Sequence, residues 1–263
     1  ISQSEKDLRI NLFIKYWGEE DKLIKLSSDD FNLRSKENNT IEWVVPDTFA
    51  NPIGQIGISI NSDDNVSGKI LINYLNISGT PKMTFRRPDH IDEYKRGIFY
   101  KEEVYGQLWK RAWVNDVDKW QYRHNESFKV VRGIGRGHIM TGSETWKDYT
   151  ISSKISIPLA SAAGLIVRSQ GLKRYYSLEL TSENKLKINK MEYELKTLNE
   201  IDFNLEYFKD YDLKFKVDGN KLQGYVDNQL LIEAEDSSNP FEEGMMGFLT
   251  ENGAIQSNSI SIE

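Results

Sequence analysis

Apolar and polar residues alternate along most of this chain, and a period of two is the mark of β-strands. Gln55-Ile56-Gly57-Ile58-Ser59-Ile60 sets three isoleucines on one side of a strand. Tyr149, Ile151, Ser153 and Ile155 share one face, opposite Thr150, Ser152, Lys154 and Ser156. Tyr211, Leu213, Phe215 and Val217 share another, opposite Lys214 and Lys216. Each pattern predicts a sheet with one dry and one wet side. Stretches with apolar residues at i, i+3, i+4 and i+7 are few, so helix is scarce.

Four strands are expected in the first 77 residues: Leu8–Trp17, Thr40–Val45, Gln55–Ile60 and Lys69–Leu75. Turn formers and charges follow, in Gly79-Thr80-Pro81, Arg86-Arg87-Pro88-Asp89 and the stretch 89–96. They predict a connection, with room for a short helix near 91–103. Strands resume at 109–114 and recur at 127–132, 136–142, 148–157, 163–169 and 174–181. Further ones are expected at 185–191, 193–201, 211–217, 222–226, 229–235, 245–251 and 257–263. Asp218-Gly219-Asn220 and Asp227-Asn228 read as hairpin turns. Short strands at this spacing predict an all-β fold of sandwich or barrel type, in two modules. The boundaries fall at 1–88 for a partial first sandwich, 89–107 for a linker and 108–263 for the second sandwich.

The 263 residues include no cysteine, which removes thiol catalysis, disulfides and cysteine-rich zinc sites. His90, His124 and His138 are the three histidines, and none has metal-ligand spacing. The net charge of −6 is spread along the chain with both signs mixed, so no nucleic-acid partner is expected. The lysines in 185–190 read as the wet face of a strand. No apolar run approaches the ~20 residues of a membrane-spanning helix, so no membrane partner is expected. The chain starts at Ile1 without a targeting segment, which reads as a piece of a longer protein. Its compartment, cytoplasmic or secreted, would be set by the missing part.

Two stretches carry a resemblance. From Ile41 to Pro88 the sequence runs WVVPD…PIGQIGISI…SGKILINYLNISGTP, and it resembles the C-terminal half of a galactose-binding-like jelly roll. From Trp109 to Ile262 come WKRAWVNDVDKW, GRGHIMTGSETWKDYT, AAGLIVRSQGLKRYYSLEL and LQGYVDNQLLIEAED, which resemble a concanavalin A-like sandwich. In this order they resemble the accessory C-terminal region of bacterial ADP-ribosylglycohydrolase-family proteins. The second stretch alone is similar to laminin-G-like and fructan-binding carbohydrate-binding modules. The resemblance implies a non-catalytic, carbohydrate-binding region of a glycan- or ADP-ribose-acting protein, whose partners are a carbohydrate and the parent's catalytic domain. It does not carry the hydrolase activity, because the family's catalytic domain is a helical bundle that holds magnesium. Asn73 and Asn76 stand where the family's strand has acidic residues, which weakens a calcium site there. No cofactor is expected, although a structural calcium at a sandwich edge remains open.

Sugar recognition needs an aromatic face for the ring and planar charged groups for paired hydroxyls. Tyr176, Leu178 and Leu180 are expected inside, leaving Tyr175, Ser177 and Glu179 on the wet face. Arg168, an arginine in the apolar run 165–169, is the candidate partner of that face. A plain cross-strand ion pair between Arg168 and Glu179 is the competing reading. Trp113 reads as core or stacking platform, and Trp120, in the polar stretch 115–125, as an exposed stacking platform or a buried side chain. Gly133-Ile134-Gly135-Arg136-Gly137 lacks the following helix of a phosphate loop and reads as a hairpin turn, with Arg136 a further site candidate. Asp116 with Asp118, Glu144 with Asp148, and Glu233 with Glu235 are conceivable acid pairs, but each sits at a turn or on a wet face. Two other readings stay open: a structural region that orients a catalytic domain or builds an oligomer, and a glycan hydrolase with a deep acidic cleft.

Overall fold

The computed structural model describes residues 7–18, 22–48, 51–61, 67–77, 79–87, 108–121 and 127–263, and these are almost entirely β-strand and loop. The expected linker 89–107 and the helix near 91–103 lie outside the described residues, as do His90 and His124.

Four strands form the first sheet: β1 (Leu8–Trp17), β2 (Leu23–Ser27), β3 (Phe31–Leu33) and β4 (Ile53–Asn61). β1 is central, with β4 antiparallel on one side and β2 and β3 sharing the other. Leu8, Ile10 and Leu33 form a small core, against which Phe31, Ile41, Ile58 and Ile70 pack. Two expected strands are not strands. Thr40–Val45 is irregular, and Lys69–Leu75 makes only a bridge at Ile70. Both segments have the right alternation, but neither joins a ladder of the first sheet, and alternation without a ladder does not make a strand. Val44 is 90% exposed as a result, while Ile41 and Ile70 each reach the core with a side chain.

The second unit is a large sheet folded into two layers. It contains β5 (Met83–Phe85), β6 (Val114–Asn115), β7 (Lys119–Gln121), β8 (Phe128–Thr141), β9 (Tyr149–Leu159), β10 (Ala162–Ser169) and β11 (Arg174–Thr181). It continues with β12 (Lys185–Glu192), β13 (Glu194–Asp202), β14 (Asp210–Asp218), β15 (Lys221–Val226), β16 (Gln229–Glu235), β17 (Met245–Ser257) and β18 (Ile260–Ile262). The front layer runs β13-β12-β11-β10-β17-β8, and the back layer runs β18-β9-β14-β15-β16. β17 serves both: its first half pairs with β10, and past a register shift at Glu251/Gly253 its second half meets β9. Between the layers lies one core, with Leu165, Val167, Tyr176, Leu178 and Ile188 from the front. Ile151, Ile155, Leu213, Phe215 and Val217 fill it from the back.

Several expectations shift here. Residues 109–114 are not a strand but a 3-10 helix, Leu108–Ala112, running into β6. The glycine-rich stretch 133–137 is not a hairpin turn. It lies within the single long strand β8, where Gly135 (φ 74°) donates to Asn252 at the break in β17. Glycine permits that local left-handed step without ending the strand. Met83–Phe85, counted on sequence with the first module, is hydrogen-bonded to β18. Lys190 departs from the wet-face pattern of 185–190. It is buried in contact with Asp236 at 2.7 Å.

Candidate functional site

The front layer has an outer face as well as a core face, and the register decides who shares it. Across β8, β17, β10, β11 and β12 one row reads Arg136, Glu251, Ala162, Thr181 and Lys185. The next reads His138, Leu249, Gly164, Glu179 and Lys187, and the third Met140, Gly247, Ile166, Ser177 and Asn189. Tyr175 follows on β11, beside Met191. Met140, Ile166, Tyr175 and Leu249 make an apolar floor.

Arg136 spans this face. Its Nη1 and Nη2 donate to the two oxygens of Glu179, both at 2.8 Å, and its Nε meets Glu251 Oε2 at 2.8 Å. Gly164, which stands between β11 and β17 in the row of Glu179, adds no side chain to obstruct that reach. A Cβ at Gly164 would also overlap the carbonyl oxygen of Leu178. Glu179 is 1% exposed, Arg136 16% and Glu251 28%, so a buried carboxylate lies under a guanidinium that touches solvent. Ser177 Oγ and the Asn189 side chain also hydrogen-bond Glu179. Burial pushes the Glu179 pKa up, but the bidentate bond and charge of Arg136 outweigh it and hold the carboxyl below its ordinary value. Arg136 behaves likewise: burial works against its charge, and Glu179 raises the pKa overall. A carboxyl held ionised in this way makes a poor general acid. It makes a good fixed acceptor.

His138 sits beside this pair. Its Nε2 lies 3.1 Å from Tyr175 Oη. Burial lowers the His138 pKa to about 4, and nearby Asp116 only partly opposes this. Burial also raises Tyr175 to about 12, so imidazole and phenol are both neutral near pH 7. The charge of Arg136 also acts on the Tyr175 phenol, and the direction of the Tyr175–His138 bond depends on the tautomer of the imidazole, whose other nitrogen is Nδ1. That Nδ1 is buried and has no partner among the described residues. Asn189 Oδ1 is in the same condition. An orphaned buried polar atom costs about 1–3 kcal/mol. Here two polar atoms on one face lack a partner among the described residues.

Of the six residues expected at a site, the structure brings together Arg136, Glu179 and Tyr175. Arg168 is not with them. β10 leaves its regular register after Ile166, and Arg168 adopts φ 47°, which carries its side chain away from Glu179. It is buried and donates instead to Lys147 O, Phe241 O and Asp148 Oδ1. Neither an Arg168-lined groove nor an Arg168–Glu179 pair exists here. Trp113 is core, packed at 5.1 Å from Phe128. Trp120 is half-buried, stacked on Phe128 at 5.8 Å with Lys110 Nζ over its ring, so it is not an open platform. Ser177 was expected on the wet face beside Tyr175 and Glu179, whereas His138, Asn189 and Glu251 were missed as site members. Their positions follow from strand pairing, which the local sequence does not display. The conceivable acid pairs are engaged elsewhere: Asp116 and Asp118 both pair with Arg132, Asp148 with Arg168, Glu233 accepts from Gln223, and Glu235 accepts from Asn220. Among the described residues no group of three or more His, Asp or Glu could hold a metal ion. Among them, too, no helix is long and apolar enough to cross a membrane.

No family model matches the sequence, and no curated protein matches it. Solved structures do. The carbohydrate binding module CBM66 from Bacillus subtilis is similar with a TM-score of 0.53 and 22% identity, over 58% of this chain and 95% of that one. A Bacillus subtilis protein of unknown function with a galectin-like fold is similar with a TM-score of 0.48 and 9% identity, over 60% of this chain and 91% of that one. The first likeness shows that the chain contains a β-sandwich of the jelly-roll kind.

Proposed function

We propose that this chain is a carbohydrate-binding accessory region, and that its ligand lies on the outer face of the front layer around Arg136, Glu179 and Glu251. The observation that carries the reading is the pre-set polar network over an apolar floor. One guanidinium is locked by two carboxylates, while His138 Nδ1 and Asn189 Oδ1 are buried without partners among the described residues. Sugar hydroxyls both donate and accept, so they suit a face that offers both charged donors and acceptors. The guanidinium touches solvent, and Glu251 is partly open. The Bacillus subtilis module of similar fold is by name carbohydrate-binding, which supports the same class of ligand. The order of the sequence pieces supports a finer proposal, that the parent chain pairs this region with an ADP-ribosylglycohydrolase-type catalytic domain.

A broad glycan array tests the proposal, with Arg136→Lys and Glu179→Gln run beside the parent chain. Lysine keeps a positive charge near buried Glu179 but loses the fork. The parent should retain at least one glycan class. Arg136→Lys should bind it about ten-fold more weakly, a loss of about 1.4 kcal/mol, with an unchanged circular dichroism spectrum. Binding that survives both substitutions places the site elsewhere.

A further inference from the structure

A second polar cleft lies at the far end of the sandwich from Arg136. A cavity of about 290 Å³ opens between the segment leading into β5 and the β8–β9 loop, lined by Thr80, Thr145, Trp146, Lys147 and Asp148 among others. Both walls are anchored. β5 is paired with β18, and Gly244 N donates to Trp146 O at 2.9 Å. The two sites are well apart. Tyr149 starts β9 at the cleft, and Ser161, just past the end of that strand, donates to Glu251 O beside Arg136. The run of β9 between them covers roughly 30 Å.

The groups around this cleft are fixed more firmly than a loop requires. Arg168, 2% exposed, donates from Nε to Lys147 O and from Nη2 to Asp148 Oδ1 at 2.8 Å. Gly219 N donates to the same Oδ1 at 2.8 Å. Asp148 is thus clamped through one oxygen while its side chain stays 60% exposed, and Oδ2 faces no partner among the described residues. The indole of Trp146 is also set. It lies against Gly142, where a Cβ would overlap Cζ3 and where φ is +121°. Tyr149 meets the indole edge-on at 6.3 Å. A buried arginine in a left-handed conformation is costly, and such strain persists where the surroundings over-determine it, often at binding sites.

We infer that the Trp146–Asp148 cleft is a second carbohydrate subsite, with the indole as ring platform, Asp148 Oδ2 as hydroxyl acceptor and Lys147 Nζ as donor. The class of ligand rests on the carbohydrate reading above, but the site itself is independent of Arg136. Together the two sites let one chain hold a polymer at two points or bridge two chains.

The full chain labelled with 5-fluorotryptophan tests this by ¹⁹F NMR, the Trp146 resonance being assigned with Trp146→Phe. The probes are gluco-, galacto-, manno-, xylo- and fructo-oligosaccharides. One of them should shift the Trp146 resonance in the parent and equally in Arg136→Lys. Asp148→Asn should raise its Kd about ten-fold. Lys147→Ala, whose side chain lies outside the Arg168 clamp, should weaken it in the same direction even if Asp148→Asn folds poorly. A Trp146 resonance that no oligosaccharide moves overturns the second subsite, while array binding sensitive to Arg136→Lys would leave the first standing. A Trp146 shift that disappears in Arg136→Lys assigns the effect to the front face and also overturns it.

Discussion

His138 gives the outer face a pH signature. Its folded pKa is about 4 against an ordinary 6.5, with burial as the main cause. The unfolded chain therefore takes up a proton below about pH 6.5 that the folded chain refuses until about pH 4. Stability should fall as pH drops through that window, by up to roughly 3 kcal/mol. Urea unfolding at pH 4, 5, 6 and 7 should show the slope in the parent, and His138→Gln should flatten it. A parent curve that is flat between pH 4 and 6.5 would mean that the imidazole is not desolvated. Below pH 4 the depressed carboxyls Glu179 and Asp236 take over, since their contribution is lost as each is protonated.

Choosing between two arginines shows how far single residues can be read. Arg168 attracts attention because it interrupts an apolar run, and it is indeed buried and paired, though to Asp148. Parity places it on one face only if β10 stays regular, and the φ of 47° at that residue breaks the parity. Arg136 carries a fainter sign, glycines on both sides. Tyr175 and Glu179 were legible because β11 is regular, with Tyr176, Leu178 and Leu180 turned into the core.

At the scale of strands, alternation was reliable wherever a partner strand existed. β9, β11, β14 and β15 follow it, and the turns at 218–221 and 226–229 close the β14–β15 and β15–β16 hairpins. Asp227 and Asn228 adopt φ of 50° and 64°, which short polar side chains tolerate. Thr40–Val45 and Lys69–Leu75 have the pattern but form no ladder beyond the bridge at Ile70, so pattern alone could not settle them. β2 and β3 are only five and three residues long, too short for a repeating pattern, and the ladder to β1 makes them strands. The front layer also depends on Gly164. A Cβ there would meet backbone, which cannot swing aside as a side chain can. Gly164→Ala should cost about 1–3 kcal/mol in urea unfolding and weaken glycan binding, because β10 and β11 must part under Glu179. Parent-like stability and binding would show that the strands accommodate the methyl.

For the whole molecule, the pairing of β5 with β18 links residues far apart in sequence. Thr84 Oγ1 and Ser261 Oγ are 2.9 Å apart, and buried Phe85 meets Trp113 edge-on at 5.7 Å. No local pattern reveals such a contact, and the turn residues 86–89 drew the module boundary after it. A fragment of residues 79–263 should be more stable than one of residues 108–263 by about 2 kcal/mol, the worth of burying one phenylalanine. Equal melting temperatures would return Met83–Phe85 to the first unit.

The central claim is that sugar binds the outer face of the front layer. Chemical-shift mapping of the ¹⁵N-labelled chain tests it most directly, with an oligosaccharide chosen from the glycan array as titrant. The account predicts the largest perturbations at Arg136 Nε, the His138 ring and the backbone of Ser177, Glu179, Asn189 and Glu251. Perturbations that spare β8, β11 and β12 while another surface responds would contradict it.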